Sequence, residues 1–358
     1  MTTMMQTTQA PPTLNTPHRL NNFDAMRIIA ALTVVLAHSI PLSEGPKSLD
    51  ALWAWSRGQA TFGYVAIQVF FIVSGYLITG SYLNSALADQ GRPAKQGFID
   101  PRGARRFIRA RLLRLAPALL VVLWVLAFIV GPILTSVSLA TYFSSPLTYR
   151  LAMGMSDHLP GMFTHNPFSS GIDGSLWTLR YEGLCYVVVL ALGLTRLLRR
   201  WVVTAVFVII LIARLHFGAY AGLDLGTLFA AGAVIRLWNP PLTIALAVPA
   251  ALVCLAGLQL GFYHLASFTF GAYLVIFIGL APAVKLPNLA KYGDISYGVY
   301  IIAWPVQQII VMLTGAHPNW IINNLITVPL VIGLAFLSWR LIEAPALTLK
   351  SRKLFNVL

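Results

Sequence analysis

His38 is the residue that most needs a reason. It stands in MRIIAALTVVLAHSI (Met26–Ile40), which is almost wholly apolar after Arg27. An imidazole titrates near neutrality, so it can take a proton from a hydroxyl if a partner supports its charged form. A carboxylate for that purpose occurs in GSLWTLRYEGLCYVV (Gly174–Val188) as Glu182, and a hydroxyl in VFFIVSGYLITG as Ser74. RRFIRARLLRLAP (Arg105–Pro117) carries five arginines. Two of them, Arg111 and Arg114, lie three apart on one helical face and could grip a phosphate through fork-like, charge-assisted hydrogen bonds. No Walker A sequence, GxSxG elbow or zinc-ligand pattern occurs, so neither metal chemistry nor nucleotide hydrolysis is implied.

Each feature also has a plainer reading. His38 could be a neutral histidine bonded to a neighbouring helix, and Arg27 a boundary anchor paired with Asp24 three residues earlier. Ser74 and Gly75 could serve close helix packing, and the arginine cluster could serve topology and lipid headgroups. Glu182 could pair with Arg180. In DISYGVYIIAWPVQQ (Asp294–Gln308) the polar and aromatic residues Ser296, Tyr297, Tyr300 and Trp304 read as interfacial aromatics beside a Pro305 kink, and WRLIEAP as an Arg340–Glu343 pair.

The elements that must position these groups are membrane helices. Of 358 residues 58% are hydrophobic and 10% charged, which excludes an ordinary soluble domain. Ten apolar runs of spanning length are predicted, near 26–43, 60–82, 115–134, 175–194, 201–217, 219–237, 241–260, 263–282, 294–314 and 320–342. They are continuous rather than alternating, so the fold class is an all-α integral membrane protein and not a barrel. The net charge of +14 follows topology rather than nucleic acid: with the N-terminus inside, twenty of the 25 Lys and Arg residues fall inside, four outside, and Arg180 within a span. Both termini are thus expected in the cytoplasm. Residues 1–22 read as a disordered tail without a cleaved signal, 23–349 as the transmembrane domain, and 350–358 as a basic tail. Cys185 and Cys254 fall within apolar spans as core thiols.

Counting along helices places His38 about 16 Å from the inner boundary, and Glu182 roughly 10 Å below the outer one. In a core about 30 Å thick these depths nearly coincide, so Glu182 is expected beside His38.

In this order the motifs resemble the membrane-bound acyltransferase 3 family over Phe23 to about Leu349. FDAMRIIAALTVVLAH resembles its opening segment, with ten residues between arginine and histidine. VFFIVSG is similar to its FFxxSG element, FIRARLLRLAP to its RxxR segment, SLWTLRYEGLCY to its SLWTLxxExxxY segment and ISYGVYIIAWP to its SYxxY…P segment. The resemblance implies transfer of an acyl group, usually acetyl from cytoplasmic acyl-CoA, to a hydroxyl of a cell-envelope carbohydrate or glycolipid, in the bacterial cytoplasmic (inner) membrane. It implies His38 as catalytic base or as the residue that handles the acyl group, with Glu182 and Ser74 as further catalytic candidates. Arg27, Arg111 and Arg114 become the donor-binding set, and Trp177, Tyr186, Ser296, Tyr297 and Tyr300 are expected to contact the acceptor or line the cavity. Acyl-CoA is then a substrate, with no tightly bound cofactor, no metal and no nucleic-acid partner. Where many members have a histidine in the ninth span this chain has Ala303, and no appended hydrolase-like domain follows Glu343, so the chain is expected to act alone. A carrier or flippase is the rival reading, since it too needs buried ionisable residues, but the chain shows no repeated halves.

Overall fold

The computed structural model describes residues 22–48, 50–87, 101–315 and 319–349, apart from the side chains of residues 86, 87, 101, 102, 290 and 292. The expected tails therefore lie outside the described residues, save Asn22. Among the described residues the regular structure is entirely helical. Nine helices are long and apolar enough to cross a membrane: α1 Phe23–Glu44, α2 Phe62–Ser85, α3 Gly103–Leu134, α4 Trp177–Leu194, α5 Arg200–Phe217, α6 Ala221–Trp238, α8 Tyr263–Leu280, α9 Ser296–Leu313 and α10 Trp320–Thr348. Between α6 and α8 lies α7, Ile244–Leu260, an apolar helix of 17 residues. All ten predicted runs are therefore helices. Two exceed their apolar runs, because α3 continues its arginine-rich approach and α10 extends through the WRLIEAP segment.

The bundle is built around α2, which touches α1, α3, α4, α6 and α8. α2 meets α6 backbone to backbone. A Cβ at Gly75 would lie 2.0 Å from the Phe229 carbonyl oxygen, and one at Gly232 would lie 2.1 Å from that of Ile72. Neither carbonyl can retreat without moving its helix, so small residues are required at this crossing. Gly75→Ala is expected to lower the thermal stability of the detergent-solubilised protein by about 1–3 kcal/mol through overpacking. Gly183→Ala on α4, where no atom lies within 4 Å of the added Cβ, is expected to have no such cost. Equal unfolding temperatures for the two variants would refute the close crossing.

The chain before α4 enters the bundle. Three successive turns of α9 hold it through side chains. Tyr300 OH donates to the Ser175 carbonyl (3.1 Å), Trp304 Nε1 to that of Gly171 (3.0 Å), and Gln308 Nε2 to those of Ser169 (3.0 Å) and Gly171 (2.9 Å). Asp173 and Ser175 are buried, and Asp173 Oδ1 accepts from the Ser175 amide (2.9 Å) and hydroxyl (2.5 Å). Non-helical backbone is tolerated at such depth only where protein groups satisfy it. Residues 169–176 thus form a re-entrant strap, and α4 begins well inside the bundle. Trp304 is a strap ligand, which corrects the reading of an interfacial aromatic.

Candidate functional site

Two cavities lie one above the other along the bundle. At the end where α1 begins, a cavity of about 100 Å³ is walled by Arg27 of α1, Ser74 of α2, Arg111 and Arg114 of α3, Glu182 and Tyr186 of α4, and Ser296, Tyr297 and Tyr300 of α9. The second, about 380 Å³, is nearer the opposite end and is walled by His38 and Pro41 of α1, Asp50 and Thr61 of the α1–α2 connection, Tyr64 of α2, Trp177 of α4 and Asp224 of α6. Ile67 of α2 lines both.

The spacing of Arg27 and His38 explains how one helix serves both. Eleven residues are close to three full turns, so the two side chains leave the same face of α1 about 16 Å apart. Arg27 donates from Nη1 to Asp294 Oδ2 (2.8 Å) and lies 3.7 Å from Asp24, the partner expected from sequence. Arg114 donates from Nη2 to the same Asp294 oxygen (2.5 Å), while Asp294 Oδ1 accepts from Ser296 Oγ (2.6 Å). Burial works against the Asp294 charge, but the guanidiniums of Arg114 and Arg27 hold its carboxyl well below the usual carboxylate range. Arg114 also faces Glu343 at 3.8 Å, and Ser338 Oγ donates to Glu343 Oε1 (3.1 Å). A π-helical turn, Trp339–Glu343, brings that carboxylate round. The expected Arg340–Glu343 pair is therefore replaced: Arg340 lies over the Phe336 ring at 5.0 Å.

Arg111 differs from these two. Its Nη2 reaches Ser81 Oγ at 3.4 Å, and its buried Nε has no hydrogen-bond partner. It is the arginine of this cavity whose bonding capacity stays open to an anion. Glu182 Oε1 accepts from Tyr186 OH and from Ser74 Oγ (3.4 Å). Tyr297 and Tyr300 present their rings to the cavity but commit their hydroxyls to the Leu115 carbonyl (3.0 Å) and, for Tyr300, to Thr178 (2.6 Å) and the strap.

Glu182 is not beside His38, and no hydrogen bond joins them among the described residues. The His38 ring packs edge-on against Trp304 with centroids 5.0 Å apart, so the two share a level. Thr178 sits at the level of Tyr300, one turn of α9 inward from Trp304, and Glu182 lies one turn of α4 further inward. Glu182 is thus about 12 Å inward of the imidazole. The depth count misplaced it by assuming that α4 starts at the membrane surface. The five residues expected to contact the acceptor or line a cavity divide between the two: Trp177 borders the His38 cavity, and Tyr186, Ser296, Tyr297 and Tyr300 border the arginine cavity. Ala303 borders neither and packs among Ala31, Val35, Val331 and Ala335.

Sequence reasoning also missed a polar network reaching the His38 cavity. Arg214 at the end of α5 donates to Asp224 on α6, Tyr64 OH donates to Asp224 Oδ2 (3.3 Å), and His264 Nδ1 lies 3.3 Å from the same hydroxyl. His264, at the start of α8, is drawn into this network. Its available signal was an aspartate in an apolar window ten residues after an arginine.

The apolar helices define a multi-pass membrane protein, with a deep imidazole and a separate, half-buried arginine cluster among them. The chain belongs to the acyltransferase 3 family (Acyl_transf_3, acyltransferase domain), whose model matches residues 20–342. It is therefore a membrane-embedded acyltransferase. An O-acetyl transferase of Shigella phage Sf6 is 28% identical over 360 residues, covering 94% of this chain and 99% of the phage protein. Nodulation protein 10 of Rhizobium leguminosarum bv. viciae is 27% identical over 375 residues, covering 93% and 95% respectively. No solved structure matches significantly.

Proposed function

We propose that this acyltransferase moves an acetyl group from cytoplasmic acetyl-CoA to a hydroxyl of a cell-envelope carbohydrate or glycolipid, across a bacterial cytoplasmic membrane. The carrying observation is the stacking of an arginine cavity beneath an imidazole cavity, with Ile67 as their common wall. The printed name of the phage relative, an O-acetyl transferase, supports acetyl and oxygen as the group and the acceptor atom. The inward bias of Lys and Arg supports a cytoplasmic position for the arginine cavity, the side on which acyl-CoA is found.

In this reading the donor's phosphates meet Arg111, with Arg27 and Arg114 held behind it by Asp294, and its pantetheine arm rises past Ile67. The acceptor hydroxyl lies in the outer cavity between His38 and Trp177. His38 takes the hydroxyl proton as the oxygen attacks the thioester carbonyl. The new C–O bond forms, the C–S bond breaks, and the imidazolium returns its proton to the departing thiolate. Among the described residues neither His38 ring nitrogen is held by a protein hydrogen bond, so both face substrate chemistry. Glu182, Tyr186 and Ser74 act at the donor end and do not orient the imidazole.

The test is mass spectrometry of envelope glycans and glycolipids from cells with and without the protein, after feeding deuterated acetate. A +45 Da increment, the mass of a deuterated acetyl group replacing a hydroxyl hydrogen, is expected only with the protein present. An envelope identical in both strains would refute the carbohydrate acceptor.

A further inference from the structure

A third cavity, about 400 Å³, opens at the Arg27 end between α2, α3 and α6. Its walls are Tyr76, Leu77, Gly80, Ser81 and Asn84 of α2, with Arg106 of α3 and Arg236 of α6. It adjoins the arginine cavity by two observations: Leu77 lines both, and Ser81, on its wall, accepts the hydrogen bond from Arg111. Arg236 is held in a defined pose. Its guanidinium carbon lies 5.1 Å from the Tyr76 ring centroid, its Nη1 donates to Tyr76 OH (3.2 Å), and it lies so close over α2 that a Cβ at Gly80 would come within 2.7 Å of its Nε. No carboxylate pairs with Arg236 among the described residues. A guanidinium held over an aromatic ring, in a cavity wall that also carries hydroxyl and amide groups, suits a phosphate next to a flat base.

We infer that this third cavity is the subsite for the phosphorylated nucleotide end of the acyl donor, with Arg236 its principal phosphate ligand and Asn84 and Ser81 on the facing wall. The inference rests on the acyl-CoA reading above. It assigns the nucleotide to the α2–α6 groove and leaves Arg111 for the phosphates nearest the pantetheine arm.

The experiment measures equilibrium binding of coenzyme A, adenosine 3′,5′-bisphosphate and pantetheine to the full chain in phosphatidylcholine nanodiscs. Removing one charge-assisted phosphate ligand is expected to weaken binding about tenfold or more. Arg236→Gln is therefore expected to weaken coenzyme A and the bisphosphate by about that factor and to leave pantetheine unchanged. Asn84→Asp, on an exposed wall position where folding is not at stake, should weaken the same two ligands by charge repulsion. If the wild type binds coenzyme A and both variants match it, the subsite is wrong while the donor reading stands. If the wild type binds pantetheine but gains nothing from the nucleotide, both the subsite and the coenzyme A donor fail. A third outcome, in which Arg236→Gln loses only retention of added phosphatidylglycerol, would identify a lipid-headgroup site and overturn the nucleotide assignment.

Discussion

His38→Ala is expected to lower the acetyl-transfer rate about 10²- to 10⁴-fold, the usual contribution of a positioned general base, while leaving coenzyme A affinity unchanged. The separation of effects follows from geometry. His38 lies in the outer cavity and none of its described contacts reaches Arg27, Arg111 or Arg114. A residue that merely packed against Trp304 would, when removed, loosen the strap and Tyr300 as well, and donor binding would suffer with turnover. The measurement is single-turnover transfer of labelled acetyl in reconstituted vesicles, beside equilibrium binding of coenzyme A. His38→Gln, which keeps most of the volume, should be as inactive as His38→Ala. A glutamine variant retaining a tenth or more of the wild-type rate would remove His38 from the chemistry.

The second large effect is expected at Asp294. Its Oδ2 holds two guanidiniums at 2.8 and 2.5 Å, and the three side chains are between 16% and 24% exposed. Asp294→Asn leaves Arg27 and Arg114 facing each other without the carboxylate that reconciles them. Breaking a buried pair typically costs about 3–5 kcal/mol, and because Arg27 keeps Asp24 at 3.7 Å and Arg114 keeps Glu343 at 3.8 Å the cost here falls at the lower end. A loss of that order is expected in thermal unfolding, with α1, α3 and α9 loosened together at one end of the bundle. The double variant Asp294→Asn/Arg27→Gln should be more stable than the sum of its parts predicts, because it removes one of the two opposed charges. Additive losses would mean that Asp294 acts through something other than this clamp.

Several of these residues were legible in the sequence, some for both of their alternatives at once. Ser74 and Gly75 are adjacent, and the chain uses each differently: Gly75 seals the α2–α6 crossing while Ser74 turns to Glu182. The pairing of Arg111 with Arg114 was readable because helical spacing alone puts both on one wall. The level of Glu182 was not. Hydropathy marks where an apolar run begins but not how far below the surface its first residue sits, and the strap that sinks α4 is held by side chains of α9 more than a hundred residues away. The polar Gln308, with Tyr300 and Trp304 at four-residue intervals before it, was the trace of that strap within the ninth span. Asp294 and Glu343 were visible as charges at helix ends, yet their partners depend on a π-helical turn and on three helices meeting, which no local pattern encodes.

Ile67 carries a consequence for the cell as a whole. A polar shaft running from Arg27 to His38 and on to the far side would conduct protons, and a membrane that stores energy as a proton gradient cannot tolerate many such leaks. Ile67 lines both cavities, so an aliphatic side chain rather than a polar one stands where they meet. In the proposed cycle that wall yields only to the pantetheine arm, which then fills the opening it has made. In that cycle substrate and stopper would be one molecule, and acetyl would reach the outer cavity without short-circuiting the membrane.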